Sequence, residues 1–299
     1  MAKYDAREIR ALYERGENVT RWFQNQEGVD ANSVTAILYS YDAQAGSYIG
    51  NLADPAMRAR NDGLGQDLAA IVDNLSPNSL LEAGIGEATS LAPLLKYMRK
   101  RPRHVLGFDL SLSRLLFARR HLAENGYEGV KLFTADLDRI PVASDSIDVV
   151  VTIHAVEPNR GREDVILSEL LRVARKHLVM IEPSYENASA EARARMDRLG
   201  YVRGLPETLK RLGYSARLTE PWPHNLNPLN QTVLIVVDKL TAGDVGGEPR
   251  LVSPVSGCEL VEHKDCFFCP EDGHAYPVIA GMPCLTLENA VLASKLDQF

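Results

Sequence analysis

Glycine and acidic residues stand where successive apolar runs of the sequence end, and these residue types suit a nucleotide-like ligand. The first run ends at Glu82, breaks at Gly84 and Gly86, and is followed by helix-favouring sequence. A strand, a glycine turn and a helix N-terminus in this order let backbone N–H groups approach such a ligand closely. Asp109 ends the second run, where a carboxylate could accept hydrogen bonds from two ribose hydroxyls. Asp136 follows the third run, where a carboxylate could meet an adenine amino group.

A histidine and a glutamate follow the fourth apolar run. That run, over 147–153, ends at His154, and Glu157 comes three residues later. Because a neutral imidazole can take a proton near pH 7, His154 is the first candidate for a catalytic general base and Glu157 is the second. His154 could equally be a packing histidine. Tyr185 and His224 could help to shape an acceptor pocket, and each could also be a surface residue.

Strand-like and helix-like segments alternate between residues 80 and 239. This alternation predicts parallel βαβ units and an α/β fold with a doubly wound, mostly parallel sheet. Ligands of such sheets bind beyond the carboxyl ends of the strands, which is where the residues above fall. A loop over 221–230 separates the last two runs, so this pair could form an antiparallel edge. The predicted strands cover residues 80–83, 104–108, 130–134, 147–153, 177–181, 215–218 and 231–237.

The flanking regions predict one helical and one β-rich addition to this sheet. We predict an N-terminal helical cap or lid over 1–75, with helices in 3–28, a segment over 33–52 and a helix over 54–74. Tyr41 and Tyr48 either pack within this cap or line a ligand cleft. The sheet domain then covers 76–239, a linker covers 240–249, and a small turn-rich domain that could end in a helix covers 250–299.

Composition excludes several classes of protein. The 299 residues carry a net charge of −7 with a pI near 5.6, whereas general nucleic-acid binders are usually basic. The first residues do not read as a signal peptide, and no apolar run approaches the ~20 residues that span a bilayer. We therefore expect a cytoplasmic protein without a membrane partner. All four cysteines lie in the last fifth of the chain, which favours a metal knuckle or its remnant over a disulfide framework.

The glycine turn separates two kinds of nucleotide-binding fold. A dinucleotide fingerprint requires Gly-x-Gly-x-x-Gly, but Thr89 occupies the third glycine position. The Glu-x-Gly-x-Gly turn, combined with Asp109 and the pair Asp136-Leu137, resembles instead the class I S-adenosylmethionine-dependent methyltransferases, of the methyltransferase-11/25-like kind, across roughly residues 36–239. One departure is Ala88, where many members of the family have a third glycine; alanine is small enough that we still expect binding.

This resemblance implies a Rossmann-like seven-stranded sheet and a role for each matched position. Gly84 and Gly86 would pass the methionine part of the donor, Asp109 would hold the ribose, and Thr152 to His154 would lie near the methyl group. S-adenosylmethionine would be the methyl donor and S-adenosylhomocysteine the product. The implied donor-binding residues are Tyr48, Glu82, Ala83, Gly84, Gly86, Asp109, Leu110, Ala135, Asp136, Leu137, Thr152 and His154.

The C-terminal segment resembles a second family, the small zinc-ribbon proteins that activate some tRNA and protein methyltransferases. The resemblance rests on Cys266-Phe-Phe-Cys269-Pro and on the later Tyr276-Pro-Val-Ile-Ala-Gly-Met-Pro283. The first cysteine pair of that family is replaced here by Ser253 and Ser256. Because hydroxyls are poor zinc ligands beside thiolates, we expect a degenerate ribbon without zinc, and we assign no metal ligands.

Three functional hypotheses follow. The first is a methyltransferase for a small-molecule acceptor such as a metabolite, a sugar or a natural-product intermediate. The alternative is an RNA or protein methyltransferase whose ribbon-like domain recognises the macromolecule; the acidic pI makes nucleic acid an unlikely partner. The third, a binding module without activity, would require a ruined donor site. The sequence leaves open the acceptor atom and whether the protein forms a homo-oligomer.

Overall fold

The computed structural model describes residues 4–225, 227–239 and 248–298. Its helices are α1 Ala6–Glu14, α2 Val19–Glu27, α3 Val34–Ala43, α4 Ser47–Asn51, α5 Pro55–Leu75, α6 Leu91–Tyr97, α7 Leu112–Glu124, α8 Glu163–Val173, α9 Ala190–Leu199 and α10 Leu205–Arg211. Its strands are β1 Ser79–Ala83, β2 His104–Asp109, β3 Lys131–Thr134, β4 Ile147–Ile153, β5 Ala174–Pro183, β6 Ala216–Pro221, β7 Thr232–Asp238, β8 Val261–His263, β9 Cys266–Phe268, β10 His274–Ile279, β11 Met282–Pro283 and β12 Val291–Leu292.

The central sheet has seven strands in the order β3-β2-β1-β4-β5-β7-β6. Strands β1 to β5 pair in parallel, and β7 is antiparallel to both β5 and β6. The predicted Rossmann-like α/β fold and its antiparallel edge are therefore confirmed. Strand β1 and most of β4 are buried throughout, because helices cover both faces of a parallel sheet; this is why both strands read as continuous apolar runs.

Strand β5 begins three residues before the apolar run that predicted it. It starts at Ala174, directly after α8, and includes the charged residues Arg175 and Lys176. The Arg175 guanidinium Nε donates to the carboxylate of Asp148 on β4 at 2.9 Å, and Asp148 is fully buried. Because this partner lies on another strand, the charged start of β5 is satisfied in a way that hydrophobic patterning cannot reveal.

The first three helices form a cap with a core of its own. Residues of α1, α2 and α3 form one buried cluster around Phe23, separate from the two clusters that lie on the two faces of the sheet. Asn32 attaches this cap to the sheet side, since its Nδ2 donates to the carbonyls of Pro158 and Leu199 at 3.0 and 2.9 Å. The long helix α5 packs differently: Leu64, Leu68 and Val72 belong to the same cluster as β1 and α6.

The C-terminal strands form a second, antiparallel sheet that covers an edge of the first. Strand β3 is the outer strand of the central sheet, and Cys284 pairs with its Thr134 as an isolated parallel bridge. The Leu285 N–H donates to the Thr134 carbonyl at 3.0 Å. Covering an edge strand in this way prevents it from pairing with other chains. The sequence left open a helix within residues 285–299. The described part of this segment has two short 3₁₀ turns, Leu287–Asn289 and Leu296–Gln298, and between them β12 pairs with β10.

The domain limits at 75, 239, 249 and 299 remain predictions. Most of the predicted linker, residues 240–247, lies outside the described residues. No helix within the described ranges is long and apolar enough to cross a lipid bilayer.

Ser253 and Ser256, which stand where the zinc-ribbon family has its first cysteine pair, form hydrogen bonds within the C-terminal domain. The hydroxyls of Ser253 and Ser256 both donate to Asp272 Oδ2 at 2.6 Å, and Ser253 Oγ lies 3.0 Å from the Tyr276 hydroxyl. Ser256 Oγ lies 3.8 Å from the sulfur of Cys269. Among the described residues, no group of three His, Cys, Asp or Glu side chains is arranged to hold a metal ion. The zinc-ribbon resemblance itself is not confirmed.

We predict that Asp272→Asn destabilises the protein by about 1–2 kcal/mol at neutral pH, because an amide NH2 group, which donates, replaces one carboxylate oxygen, which accepts. Although burial opposes ionisation, the serine hydroxyls and the His274 N–H lower the pKa of Asp272 to about 2. The carboxylate therefore stabilises the fold fully above its unfolded pKa near 4, and this contribution is lost as the pH falls towards 2. Urea unfolding of Asp272→Asn, with the exposed Asp265→Asn as control, should show a deficit that shrinks from pH 4 to pH 2. An equal deficit at both pH values would contradict this assignment.

Candidate active site

The carboxyl ends of β1, β2, β3 and β4 meet under α3 and enclose one cleft. Its empty volume, including the part open to solvent, is about 570 Å³. We call it the strand-end cleft; Gly84, Asp109, Leu110, Ala135, Asp136, Leu137 and His154 line it, together with Ile37, Leu38 and Tyr41 of α3 and with Arg114 and Arg162. Most of the residues expected to bind the donor are therefore gathered in one place.

The glycine turn after β1 has a backbone that favours glycine at both positions. Gly84 and Gly86 have φ values of +72° and +55°, which L-residues rarely adopt. A Cβ on Gly84 would lie 2.4 Å from the Cβ of Ala155, so the turn passes directly against the residue that follows His154. Ala88, at the third glycine position, keeps a left-handed φ of +58° and is fully buried. The turn conformation is thus retained although its third glycine is replaced, at about 1 kcal/mol of strain.

Asp109 links the second strand to the glycine turn. Its Oδ2 accepts the Gly86 N–H and its Oδ1 accepts the Ser111 N–H, both at 2.9 Å. A carboxylate has about four acceptor sites, so two remain for ligand hydroxyls. The Arg114 guanidinium lies 3.9 Å from Oδ2 and is nearly buried. Asp109 is therefore both an anchor for the turn and a group that can accept further hydrogen bonds.

The adenine end that the resemblance implies is apolar, apart from one ion pair. Leu110, Ala135 and Leu137 line this part of the strand-end cleft. Asp136 Oδ1 accepts from Arg162 Nη2 at 2.9 Å, a contact that sequence reasoning did not foresee. Burial raises the pKa of Asp136, and the neighbouring Arg162 acts against this rise. Any ligand that contacts Asp136 therefore contacts a carboxylate that is already paired with Arg162.

Glu82 lies behind the cleft as a buried carboxyl group. It is 3% exposed, and its Oε2 has no hydrogen-bond partner in the described part of the chain. Burial and the Asp109 charge raise the pKa of Glu82 to about 8. Ala83 and Thr152 pair across β1 and β4 and are fully buried, so they shape the floor of the cleft rather than its lining. A buried, unsatisfied carboxyl at this point favours a ligand that brings a positive charge or a donor group.

His154 and Glu157 form a close pair at one end of the cleft. His154 Nδ1 lies 2.8 Å from Glu157 Oε2, and His154 Nε2 lies 3.4 Å from the Thr232 hydroxyl. Although burial disfavours the imidazolium, the Glu157 and Glu182 carboxylates raise the pKa of His154 above its ordinary value. A carboxylate on Nδ1 fixes the tautomer and leaves Nε2 to exchange a proton. The two candidates for a general base are therefore one hydrogen-bonded unit, and Glu157 orients the imidazole of His154.

Carboxylate contacts hold the cap over the glycine turn. Glu87, within the turn, accepts the N–H groups of Gly46 and Ile49 at 3.0 and 2.8 Å, at the start of α4. The Arg114 guanidinium lies 4.7 Å from the ring centre of Tyr48 and 5.2 Å from that of Tyr41. Tyr48 therefore lies beside the cleft rather than among the residues that line it, and the segment from α3 to α4 forms a lid.

Tyr185 and His224 lie outside the lining of the strand-end cleft. The Tyr185 hydroxyl donates to Asp197 at 3.2 Å. His224 Nε2 lies 2.7 Å from Asp67 on α5, while the His224 carbonyl accepts from Arg60 Nε at 3.1 Å. Both side chains are thus committed to contacts between elements, and neither is placed to exchange a proton beside His154.

Comparison with known proteins identifies this arrangement. Residues 80–177 match a family model described as “Methyltransferase domain”. These residues form a methyltransferase domain. No curated protein sequence matches the chain.

Several solved methyltransferase structures resemble this chain at low sequence identity. Magnesium protoporphyrin IX methyltransferase from Synechocystis PCC 6803 is 13% identical, with a TM-score of 0.54 over 70% of this chain and 100% of that one. An S-adenosylmethionine-dependent methyltransferase from Aquifex aeolicus is 17% identical, with a TM-score of 0.46 over 65% of this chain and 98% of that one. Geranyl diphosphate C-methyltransferase from Streptomyces coelicolor A3(2) is 14% identical, with a TM-score of 0.44 over 54% and 70%. At these identities the Synechocystis structure supports the fold alone.

Sequence reasoning missed three charged residues around the strand-end cleft. Glu182 ends β5 and is fully buried, so extending the strand-end argument to the fifth strand would have found it. Arg114 and Glu87 lie in segments that read as an ordinary amphipathic helix and turn. Their partners are Tyr41, Tyr48 and the start of α4, far away in sequence. No local pattern reveals such pairings.

We predict that Gly84→Ala destabilises the methyltransferase by about 2–4 kcal/mol, because the new methyl group combines an unfavourable φ with a clash against Ala155. Gly213→Ala is the matched control: Gly213 has a φ of +85° but open space around it, so only the backbone term of about 1 kcal/mol applies. Urea unfolding of both variants measures the difference. Equal destabilisation would show that the close approach at Gly84 is not a real constraint.

Proposed function

We propose that this protein transfers the methyl group of S-adenosylmethionine to a small-molecule acceptor whose nucleophilic atom carries a proton. The observation that carries the proposal is the His154–Glu157 pair, which lies at the end of the same cleft that Gly84, Asp109 and Leu137 line. A donor pocket and a candidate base thus open into one space. The bound S-adenosylhomocysteine in the Synechocystis structure supports the choice of donor.

The residues of the strand-end cleft fit S-adenosylmethionine. Asp109 retains acceptor capacity for the ribose hydroxyls, and Leu110, Ala135 and Leu137 offer apolar contacts for the adenine. The unsatisfied Glu82 carboxyl suits the end of the donor that carries an ammonium group.

The donor supplies an electrophilic methyl group whose leaving group needs no proton. The protein therefore has to orient the acceptor, exclude water and remove one proton. Tyr41 and the lid over the cleft limit the access of water. Above the pKa of His154, the neutral imidazole donates its Nδ1 proton in a hydrogen bond to Glu157 and takes the acceptor proton at Nε2. The pair then carries the proton while the charge of Glu157 stabilises the imidazolium.

The covered cleft favours a small acceptor over a macromolecule. Ile37, Leu38 and Tyr41 of α3 form one wall, and Asn32 anchors that wall to the opposite side of the cleft. An RNA or protein substrate would need an open approach to His154. The decisive experiment is incubation of the protein and a cell extract with S-adenosylmethionine carrying a tritiated methyl group. Tritium in the small-molecule fraction supports the proposal, whereas tritium in RNA or protein supports the alternative.

We predict that Asp109→Ala weakens binding of S-adenosylhomocysteine roughly 30-fold or more, because two hydrogen bonds to a carboxylate are lost. Isothermal calorimetry measures the dissociation constant, and circular dichroism checks that the variant is folded. Glu124→Ala, at the exposed far end of α7, is the control and should bind like the wild type. Unchanged binding by a folded Asp109→Ala protein would refute the donor site.

We predict that His154→Gln lowers kcat about 100-fold or more while the affinity for S-adenosylhomocysteine changes little. In the wild type, kcat/KM should rise with pH through a midpoint above 6.5, since the pKa of His154 is raised and only the neutral imidazole is a base. This rise should vanish in His154→Gln and persist in His263→Gln, which lies in the C-terminal sheet. Full activity of His154→Gln would show that the acceptor needs no base.

A further inference from the structure

The turn that carries His154 and Glu157 is held by a carboxylate outside the lining of the cleft. Glu182, at the end of β5, is fully buried. Its Oε1 accepts the N–H groups of Ala155 and Val156 at 3.1 and 3.2 Å, and its Oε2 accepts the N–H of Glu157 at 3.1 Å. One side chain therefore satisfies three consecutive backbone donors.

We propose that Glu182 is a positioning residue: it holds the turn over 154–157 so that the His154 imidazole and the Glu157 carboxylate face each other beside the cleft. This inference rests on the proposed function, in which His154 removes the acceptor proton. Glu182 does not line the cleft, and its carboxylate accepts the backbone N–H groups of the turn, so it acts through the backbone and through its charge.

The backbone of the turn depends on this carboxylate. The N–H of His154 donates to the Ile181 carbonyl at 2.9 Å, so β5 accepts four successive N–H groups, from 154 to 157. His154 has a φ of +53°, which an L-residue holds only where the surroundings enforce it. Successive N–H groups that point to one side form a site for an anion, and here the protein supplies the anion itself. Without it, three buried donors would lose their acceptor at once.

The charge of Glu182 also acts on the base. His154 and Glu157 face Glu182 from the turn, Thr152 faces it from β4, and the charge of Arg60 acts on His154 from α5. The Glu182 carboxylate helps to keep the pKa of His154 raised, while burial raises the pKa of Glu182 to about 7. Position and proton affinity of the imidazole therefore depend on the same group.

The test compares Glu182→Gln with the wild type and with the control Glu169→Gln. Glu169 also accepts a backbone N–H, from Ile140 at 2.9 Å, but it is remote from His154. NMR titration of histidine-labelled protein follows the imidazoles, and His154→Gln identifies the relevant signal among the seven histidines. We expect the His154 pKa to fall by roughly half a unit or more in Glu182→Gln and to stay unchanged in Glu169→Gln. A merely structural role would lower stability without this shift.

Glu182→Asp separates charge from placement. It keeps the charge but shortens the side chain, so the His154 pKa should stay raised while methyl transfer to the tritium-accepting fraction slows about 10- to 100-fold. If Glu182→Gln does not fold, Glu182→Asp decides alone: methyl transfer at the wild-type rate in this variant would overturn the inference. An unchanged His154 pKa in folded Glu182→Gln would overturn it as well. Failure of the wild type to bind S-adenosylhomocysteine would reject the proposed function, and the titration would still decide the role of Glu182.

Discussion

The close approach of β1 to β4 at Gly84 is the constraint on which the cleft depends. Because a Cβ at this position would meet Ala155, the glycine turn and the His154 turn are locked against each other at van der Waals distance. Asp109 then fastens the far side of the glycine turn to β2 through the Gly86 N–H. The ends of the inner strands therefore form a single frame, which sets the distance between the proposed donor pocket and the candidate base.

Buried carboxylates that accept backbone N–H groups recur around this frame. Asp109 holds the glycine turn, Glu87 holds the start of the lid, and Glu182 holds the turn of the base. Asp148 does the same at the opposite end of the sheet, where it accepts the N–H of Asn78. Hydrogen bonds to a charged acceptor are about twice as strong as neutral ones, so a few carboxylates can fix loops that have little apolar surface. These four carboxylates therefore stabilise the backbone of the turns and loops that they contact.

The sequence predicted those parts of the fold that depend on local pattern. Buried parallel strands read as apolar runs, which is why β1 to β5 were predicted, and β6 and β7 were predicted as a later pair of runs. The rule that ligands bind at strand ends brought Gly84, Asp109 and His154 to one cleft. The rule could not show that Asp136 pairs with Arg162, because that contact joins two loops. It also could not show the charged start of β5, since Arg175 is satisfied only by Asp148 on another strand. Most of the features that could not be predicted from the sequence are ion pairs between residues that are far apart in the chain.

The central claim is that donor and base share one cleft. A crystal structure with S-adenosylhomocysteine tests it most directly, because the sulfur marks the point from which the methyl group leaves. We predict that the ribose hydroxyls donate to Asp109, that the adenine packs against Leu110 and Leu137, and that the sulfur faces His154. A ligand bound elsewhere, or a sulfur turned away from His154, would contradict the account.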